Sequence, residues 1–445
     1  MKILMTFYPL NDLGGIINNQ EGLFQGLKEL GHEVNVKLLV WKDRISSSKS
    51  HRPLKQEKGT MGLGFDPQHG WYWPSEKRFA YKGKGNLQRW KDYASKFDLI
   101  IWQIPVPTTQ KDNRGNTDWL ELYNVPVKQI AYIHDGNMLD GYPWISKVQH
   151  HFMAAAGVHP CAYKALEYLP LPRAAAFSAQ INIAERIKAA DKAKDRAGWF
   201  SLQTFKGWKH VDDLVRAAPY MMDVNPMILA GGGMHYYYMT SKDKMKDAYK
   251  ASIAKDPDLN KKDVGKPIWD LAIAGGMKWA GWVSNAERET YLHGAKLLID
   301  PSWSKKYAKI GEHQNRTPVD GLIGGCVPVV REWGVTDIAG KSEFYRHMEN
   351  CIIIPQGVAP KEYAALIGEA ADMPDKKRKE IVASGRESIV PHSDRLAVAQ
   401  TFIDLANGKP AGVYKHKKDR GKHSEDMLVN GDAVFNSFFA NEGGY

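Results

Sequence analysis

The sequence predicts an α/β protein of doubly wound parallel sheets, and three observations lead there. The chain opens as strand, glycine loop, helix and strand between Lys2 and Trp41, the start of a doubly wound sheet. A second strand–loop–helix–strand order runs from Ala295 to Val330. The composition, 43% apolar and 25% charged over 445 residues, is that of a soluble globular chain long enough for two or three domains.

Lys2 to Tyr8 reads as a strand of the buried type, and Pro9 to Gly15 as a loop ending in Gly14-Gly15. Ile16, Leu23, Leu27 and Leu30 recur at helical spacing, and that helix closes at Gly31. Glu33 to Trp41 is the next strand. The two glycines let the backbone approach a bound group, and the helix N-terminus adds partial positive charge, although any tight βα turn uses such a pair. Lys42 to Trp90 breaks the rhythm: rich in Lys, Arg, Gly and aromatics, it is expected to be an excursion (42–90) over the sheet edge. Within it Trp71, Trp73, Lys77, Arg78, Lys82 and Lys84 are of the types that stack bases and meet phosphates. Aromatics of this kind equally pack a long loop down.

Asp98 to Pro105 and Pro126 to Asp135 are further strands; the second runs straight into His134-Asp135-Gly136. His134 and Asp135 then project from a carboxyl end, or cap the next helix. His150, His151, His159 and Cys161 lack the paired spacing of a zinc site. Glu185 to Arg196 reads as a charged linker. Gly198 to Leu202 is a strand, Thr204 to His210 a loop and Val211 to Ala218 a helix. Met227 to Ala230 is a strand entering Gly231-Gly232-Gly233, and Tyr236 to Lys266 is a polar, Lys-rich insertion. Trp279 to Val283 and Ala295 to Asp300 are strands around the helix Asn285 to Gly294. Cys351 to Pro355 is a late strand. Pro360 to Ala371, Lys376 to Ser384 and Ser393 to Ala406 are helices, and the tail from Asn407 is basic at first. The sequence shows no internal repeat.

Lys and Arg outnumber Asp and Glu by 61 to 50, a net charge of +11 with a pI near 9.2. That fits a polyanionic partner, a nucleic acid or an anionic membrane surface. No apolar run is long enough to span a bilayer. The first ten residues are too short and too weakly basic for a signal peptide. Three cysteines, Cys161, Cys326 and Cys351, make no disulfide framework, so a cytoplasmic setting is expected.

The stretch from Ile310 to Val330, I-G-E-H-Q-N-R-T-P-V-D-G-L-I-G-G-C-V-P-V-V, carries the chemistry. Glu312 precedes Asp320 by eight positions, and small residues end the helix before an apolar strand. A loop there lies at the carboxyl edge of a parallel sheet, where open α/β folds bind ligands. If the helix starts at Arg316 to Pro318, its free N–H groups suit a phosphate. The alternative is a solvated acid on an ordinary crossover helix.

Five segments in order, Phe205-Lys206-Gly207, Gly231 to Gly233, Trp279-Ala-Gly-Trp-Val-Ser-Asn, Leu297-Leu-Ile-Asp-Pro-Ser and Glu312 to Val329, resemble the nucleotide half of the retaining glycosyltransferases of family 4. The resemblance implies the GT-B fold, two Rossmann-like domains facing a central cleft. The boundaries expected are 1–184 for an acceptor-side domain, 185–395 for a nucleotide-sugar domain, and 396–445 for a returning helix and basic tail. Tyr132-Ile-His-Asp-Gly-Asn-Met-Leu and Asp320-Gly-Leu-Ile-Gly-Gly-Cys-Val-Pro-Val are similar to the bacteriophage DNA α-glucosyltransferases, which modify hydroxymethylcytosine in duplex DNA.

The resemblance implies that Asp320 holds the ribose of a nucleotide-sugar, a UDP-sugar above all. Lys206 or Lys209 would meet the diphosphate, Gly14 and Gly15 would lie under it, and Gly232 belongs to the glycine turn. Trp282 and Val283 would frame the base, while Arg316 and Thr317 would offer N–H groups. Glu312 and His134 would contact the sugar, with Asp135 near the acceptor. The implied activity moves a sugar, with retention, to a hydroxymethylated pyrimidine in phage DNA, with no metal required. The alternatives are a lipid-linked or surface glycan as acceptor, and a non-catalytic nucleic-acid-binding protein on the same fold. Two positions depart from the family pattern. The second acid is Asp320 rather than Glu, and the arginine before the lysine is missing, Ser201, Leu202 and Gln203 standing in that segment.

Overall fold

The computed structural model describes residues 1–7, 14–40, 61, 64–66, 70–72, 77–80, 84–103, 121–133, 149–158, 163, 166, 171–205, 209–232, 268–312 and 315–412. The chain divides into two compact units, Met1–Ile181 with His392–Tyr445, and Asn182–Pro391. Among the described residues no helix is long and apolar enough to cross a membrane.

In the first unit the elements are β1 (Lys2–Phe7), α1 (Gly14–Glu29), β2 (Glu33–Val40), the short pair β3 (Gly64–Asp66) and β4 (Gly70–Tyr72), β5 (Arg78–Ala80), α2 (Asn86–Ala94), β6 (Leu99–Trp102), β7 (Lys128–Ile133), β8 (Ala154–Gly157) and β9 (Arg173–Ala175). Seven strands form one parallel sheet in the order β5-β2-β1-β6-β7-β8-β9. The chain winds outward from β1 to one side and resumes at β6 on the other, so the switch point lies between β1 and β6. Helix α1 packs against the C-terminal helix Arg395–Ala406, where Gly26 is so close to the Arg395 carbonyl that a side chain would not fit. Asn19 ties α1 to the sheet: its Nδ2 donates to the Tyr132 hydroxyl (3.0 Å), and its Oδ1 accepts from the Ala179 N–H (2.6 Å).

The second unit holds α3 (Ile183–Asp191), β10 (Ala197–Thr204), α4 (Val211–Ala217), β11 (Met227–Gly232), α5 (Ile268–Ala274), β12 (Met277–Gly281), α6 (Asn285–Gly294), β13 (Ala295–Asp300), α7 (Lys305–Ile310), α8 (Arg316–Gly324), β14 (Val327–Arg331), α9 (Glu332–Val335), β15 (Ile352–Ile354), α10 (Pro360–Ala371) and α11 (Asp375–Ser388). Its six strands are parallel in the order β12-β11-β10-β13-β14-β15. Trp199, Leu229, Leu297, Ile299, Val327 and Val329 on one face, and Phe200, Ala230 and Leu298 on the other, join separate apolar clusters. Burial on both faces is why these strands read as continuous apolar runs.

Two sequence expectations are corrected. The segment 42–90 is not all excursion: Arg78–Ala80 pairs with β2 as an edge strand, and α2 buries Trp90 against Phe79 and Trp102. A three-residue strand is too short to carry a period of its own. The charged linker begins as helix α3, whose Ile183, Ile187 and Ala190 share one face at helical spacing while the charges occupy the rest. The sequence also hid α5 and α7. The insertion Tyr236–Lys266 and the basic tail beyond 412 lie outside the described residues.

Candidate functional site

The switch point of the second sheet lies between β10 and β13, and side chains close its carboxyl edge. The Gln203 amide donates to Asp300 Oδ1 (2.9 Å), and the Ser302 N–H donates to the same oxygen (3.1 Å). Asp300 Oδ2 is buried with no hydrogen bond among the described residues. On the β11 side Gly231 has φ +111° and presses against the Gln203 carbonyl, so only glycine fits. The Trp279 indole donates to the Gly231 carbonyl (2.9 Å). Trp282 stands past the end of β12 and is 46% exposed, although its aromatic bulk would favour burial. Its Nε1 is 3.0 Å from where a Cβ on Gly232 would lie, so the indole rests on bare backbone. Val283 behind it is half-buried.

The crossover from β13 to β14 brings in α8, which begins at Arg316 with Asn315 as N-cap. The Asn315 side chain does not cap the helix; its Oδ1 accepts instead from Lys209 Nζ (3.1 Å). The first-turn N–H groups of Arg316 and Thr317 have no carbonyl partner within the helix, and Pro318 has no N–H to leave over. Such a helix start attracts an anion, and here a lysine ammonium is held at it. Gly321 seats α8 on β13 and Gly324 seats it on α6, because a Cβ at either would come within 2.8 Å of Leu298 or Leu292 respectively.

One turn in, Asp320 is 6% exposed. Its Oδ1 accepts from Arg186 Nη2 on α3 (2.8 Å), and its Oδ2 from Arg316 Nε (3.2 Å). Arg186 is gripped from the other side by Glu289, Nη2 to Oε1 at 2.9 Å and Nε to Oε2 at 3.2 Å. Glu289 also accepts from Arg288 Nη2 (2.8 Å). Burial works to raise the Asp320 carboxyl, but Arg316, Arg288 and Arg186 outweigh it and hold it well below the ordinary carboxylate range. Burial lowers the Arg316 guanidinium to about 10, against the pull of Asp320, so it stays charged at neutral pH. A small recess beside this network is lined by Thr317, Asp320 and Arg288, with Phe200, Leu202, Leu292 and Leu298 as its apolar floor.

Glu312 is buried, and its Oε2 accepts from the Ser342 hydroxyl and from the Glu343 N–H (2.9 Å). Those bonds hold it to the loop before β15. Among the described residues one group has metal-ligand types within reach of one another: the ligand atoms of His210, Asp212 and Asp213 lie within 4.8 Å. The His210 ring stacks on Trp303 at 4.0 Å and 8°. Burial lowers that imidazole to about 4, so it is neutral at pH 7. Asp213 accepts from the Trp303 indole (3.4 Å), and both acids lie in the first turn of α4, where the helix dipole favours them. Burial and Asp213 raise Asp212 to about 6.

Of the residues singled out from sequence, Lys209, Gly232, Trp282, Val283, Glu312, Arg316, Thr317 and Asp320 all belong to the second unit. Lys209 and the start of α8 come together, and Trp282 and Gly232 touch. Gly14 and Gly15 are the first residues of α1 rather than a loop before it. His134, Asp135 and Lys206 lie outside the described residues, as do Trp73 and Lys82. Trp71 is in β4 and Arg78 in β5; Lys77 is half-buried and Lys84 exposed. Sequence reasoning missed Arg186, Arg288, Glu289, Gln203 and Asn315 as parts of the site.

No protein-family model matches the sequence, and no curated protein matches it. Solved structures do match. Anabaena Alr3699/HepE in complex with UDP-glucose has a TM-score of 0.57 at 13% identity, covering 92% of this chain and 100% of that one. An alpha-glucosyltransferase in complex with UDP-glucose and DNA containing an abasic site has a TM-score of 0.60 at 11% identity, covering 92% and 99%. Sucrose-phosphate synthase from Thermosynechococcus elongatus has a TM-score of 0.56 at 12% identity, covering 91% and 98%. At such identities the likeness speaks to architecture: two parallel α/β sheets in the GT-B fold.

Proposed function

We propose that this chain is a glycosyltransferase that binds a nucleotide-sugar at the switch point of its second sheet. The observation that carries the reading is the start of α8, where an uncapped first turn, the Lys209 ammonium at its N-cap and the Asp320 carboxylate one turn on stand in succession. A diphosphate fits the first two and a ribose diol the third. The exposed Trp282 indole over Gly232 offers the base a flat face. Solved structures of the same fold, among them HepE, TarM and an alpha-glucosyltransferase, carry UDP or UDP-glucose, which favours uridine.

Transfer then runs on fixed positive groups. As the glycosidic bond breaks, negative charge grows on the departing diphosphate, and Lys209 with the Arg316 and Thr317 N–H groups meets it without reorganising. The sugar passes through an oxocarbenium-like state, and the acceptor hydroxyl enters on the face the phosphate leaves, giving retention. The phosphate oxygen takes the hydroxyl proton, so no protein nucleophile is needed. In this scheme Glu312 contacts the sugar, and the roles of Lys206, His134, Asp135 and the Gly14-Gly15 pair are those the sequence resemblance implies.

For the acceptor the reading favours duplex DNA carrying a hydroxymethylated pyrimidine, in a cytoplasmic setting. The charge of +11 supports a polyanion, and one structure of the same fold is bound to DNA. A base reached in a pocket has to leave the stack. A glycan acceptor remains the second reading, because a structure of the fold from S. aureus, TarM, holds alpha-GlcNAc-glycerol. The deciding experiment is mass spectrometry of hydroxymethylated DNA and of a glycan panel after incubation with nucleotide-sugars. A hexose-sized mass increase on the DNA supports the first acceptor and one on a glycan the second. No transfer and no donor hydrolysis with any donor refutes the enzyme.

A further inference from the structure

We propose that Arg186 is a positioning residue for the donor's nucleoside: it fixes the Asp320 carboxylate so that one lone pair on each oxygen faces a vicinal diol, and thereby sets the preference for a ribonucleotide over a deoxynucleotide. The inference rests on the nucleotide-sugar reading above and adds to it a residue from a different helix.

An ionised carboxylate offers about four lone-pair sites. Asp320 has one used on each oxygen, Oδ1 by Arg186 Nη2 at 2.8 Å and Oδ2 by Arg316 Nε at 3.2 Å. Each oxygen thus keeps acceptor capacity, as binding two neighbouring hydroxyls requires. Arg316 is on the same helix as Asp320, four residues away, and moves with it. Arg186 comes from α3, so it orients the carboxylate against a second element. Its own freedom is removed by Glu289, which takes both Nη2 and Nε and is itself bound to Arg288. The side chains of Arg186 and Asp320 are 10% and 8% exposed, so little water competes for these bonds. An Asp is one methylene shorter than a Glu and cannot reach as far; it has to be aimed. A small recess whose lining includes Thr317, Asp320 and Arg288 adjoins it.

The test is calorimetric binding of UDP and of 2′,3′-dideoxy-UDP to the full-length wild type, Arg186→Met and Arg186→Lys. Wild type is expected to bind UDP about tenfold more tightly than the dideoxy analogue, the worth of hydrogen bonds to a charged group. Arg186→Met is expected to lose about tenfold for UDP while its dideoxy-UDP affinity stays within about twofold, and Arg186→Lys to keep part of the preference. With the guanidinium gone, Asp320 moves part of the way back toward the ordinary carboxylate range, so the UDP affinity of Arg186→Met falls at a higher pH on acidification than that of wild type. A merely structural arginine would weaken both ligands in step. That outcome, or a wild type indifferent to the hydroxyls, overturns the proposal while leaving the donor site standing. A wild type that binds neither nucleotide removes the donor site itself. If Arg186→Met does not fold, Arg186→Lys carries the same comparison of ratios.

Discussion

Replacing Asp320 by Asn tests the buried network at the least cost in shape. The side chain keeps its volume, but the guanidiniums of Arg186, Arg288 and Arg316 lose the Asp320 charge, and Glu289 stays bonded to Arg186 and Arg288. Removing one partner of a buried ion pair costs about 3–5 kcal/mol, because a charge stays desolvated without its counter-charge. Arg186 retains two contacts to Glu289, so the lower end, about 3 kcal/mol, is expected here. That is a large share of the roughly 5–15 kcal/mol that holds a domain folded, yet it leaves the variant folded at room temperature. Because the chain has two units, a single unfolding curve would mix them. The assay is therefore hydrogen exchange under mild urea, following the β10 and β13 amides, with the β1 and β6 amides as an internal control. The pH dependence has a definite sign. Asp320 is depressed below its unfolded value, so its contribution is fully present above about pH 4 and is lost as the pH falls through the folded value. The difference between wild type and Asp320→Asn should be constant from neutral pH to about pH 4 and shrink below it. A difference under about 0.5 kcal/mol at pH 7, the range of ordinary surface changes, would refute the claim that this network is buried and coupled.

Lys209→Ala should lower kcat/KM for the donor by roughly 10- to 100-fold, the loss of one charge-assisted bond to the diphosphate, with little change in Tm because the side chain is half-buried. Steady-state kinetics with varied donor would read this. Gly231→Ala, at φ +111° and against the Gln203 carbonyl, should destabilise the second unit by at least about 1–3 kcal/mol, seen as loss of exchange protection in β10 and β11. Prolonged chelation should leave transfer within about twofold, since Lys209 and main-chain N–H groups answer the leaving-group charge. A dependence on added divalent cation would instead direct attention to His210, Asp212 and Asp213.

What the sequence made legible was periodic or punctuated. Strands β1, β2, β13 and β14 and helices α6 and α10 read correctly because apolar runs are long and glycines or capping residues bound them; Ser284 and Glu287 even form a capping box at α6. The end of α8 at Gly324-Gly325 was legible for the same reason. Helix α3 was not, since its one apolar face is three residues wide within a charged run, and a charged run reads as solvated surface. Arg186 was invisible for a further reason: 134 residues separate it from Asp320. Gln203 and Asp300, 97 apart, were hidden likewise. Such pairs exist only once the crossovers have stacked α3 on α8 and β10 beside β13.

The missing arginine has a structural explanation on the same strand. The segment Ser201, Leu202, Gln203 runs along β10 toward its carboxyl end, and Ser201 and Gln203 are 0% and 4% exposed. Gln203 is committed to Asp300 across the switch point, bonding the β10 end to the β13 end. A guanidinium there would have to displace that bond and would sit beside the Gly231 turn, which already touches the Gln203 carbonyl. On the proposed reading, positive charge for a diphosphate enters from the loop that follows, where Lys209 is tethered to the N-cap of α8. The same economy explains how the fold holds at identities of 10–13% to its structural relatives. A helix start and a glycine turn act through the main chain and tolerate almost any neighbours. Where the proposed donor site calls on a side chain, as at Asp320, this chain has an aspartate bonded by an arginine from another helix.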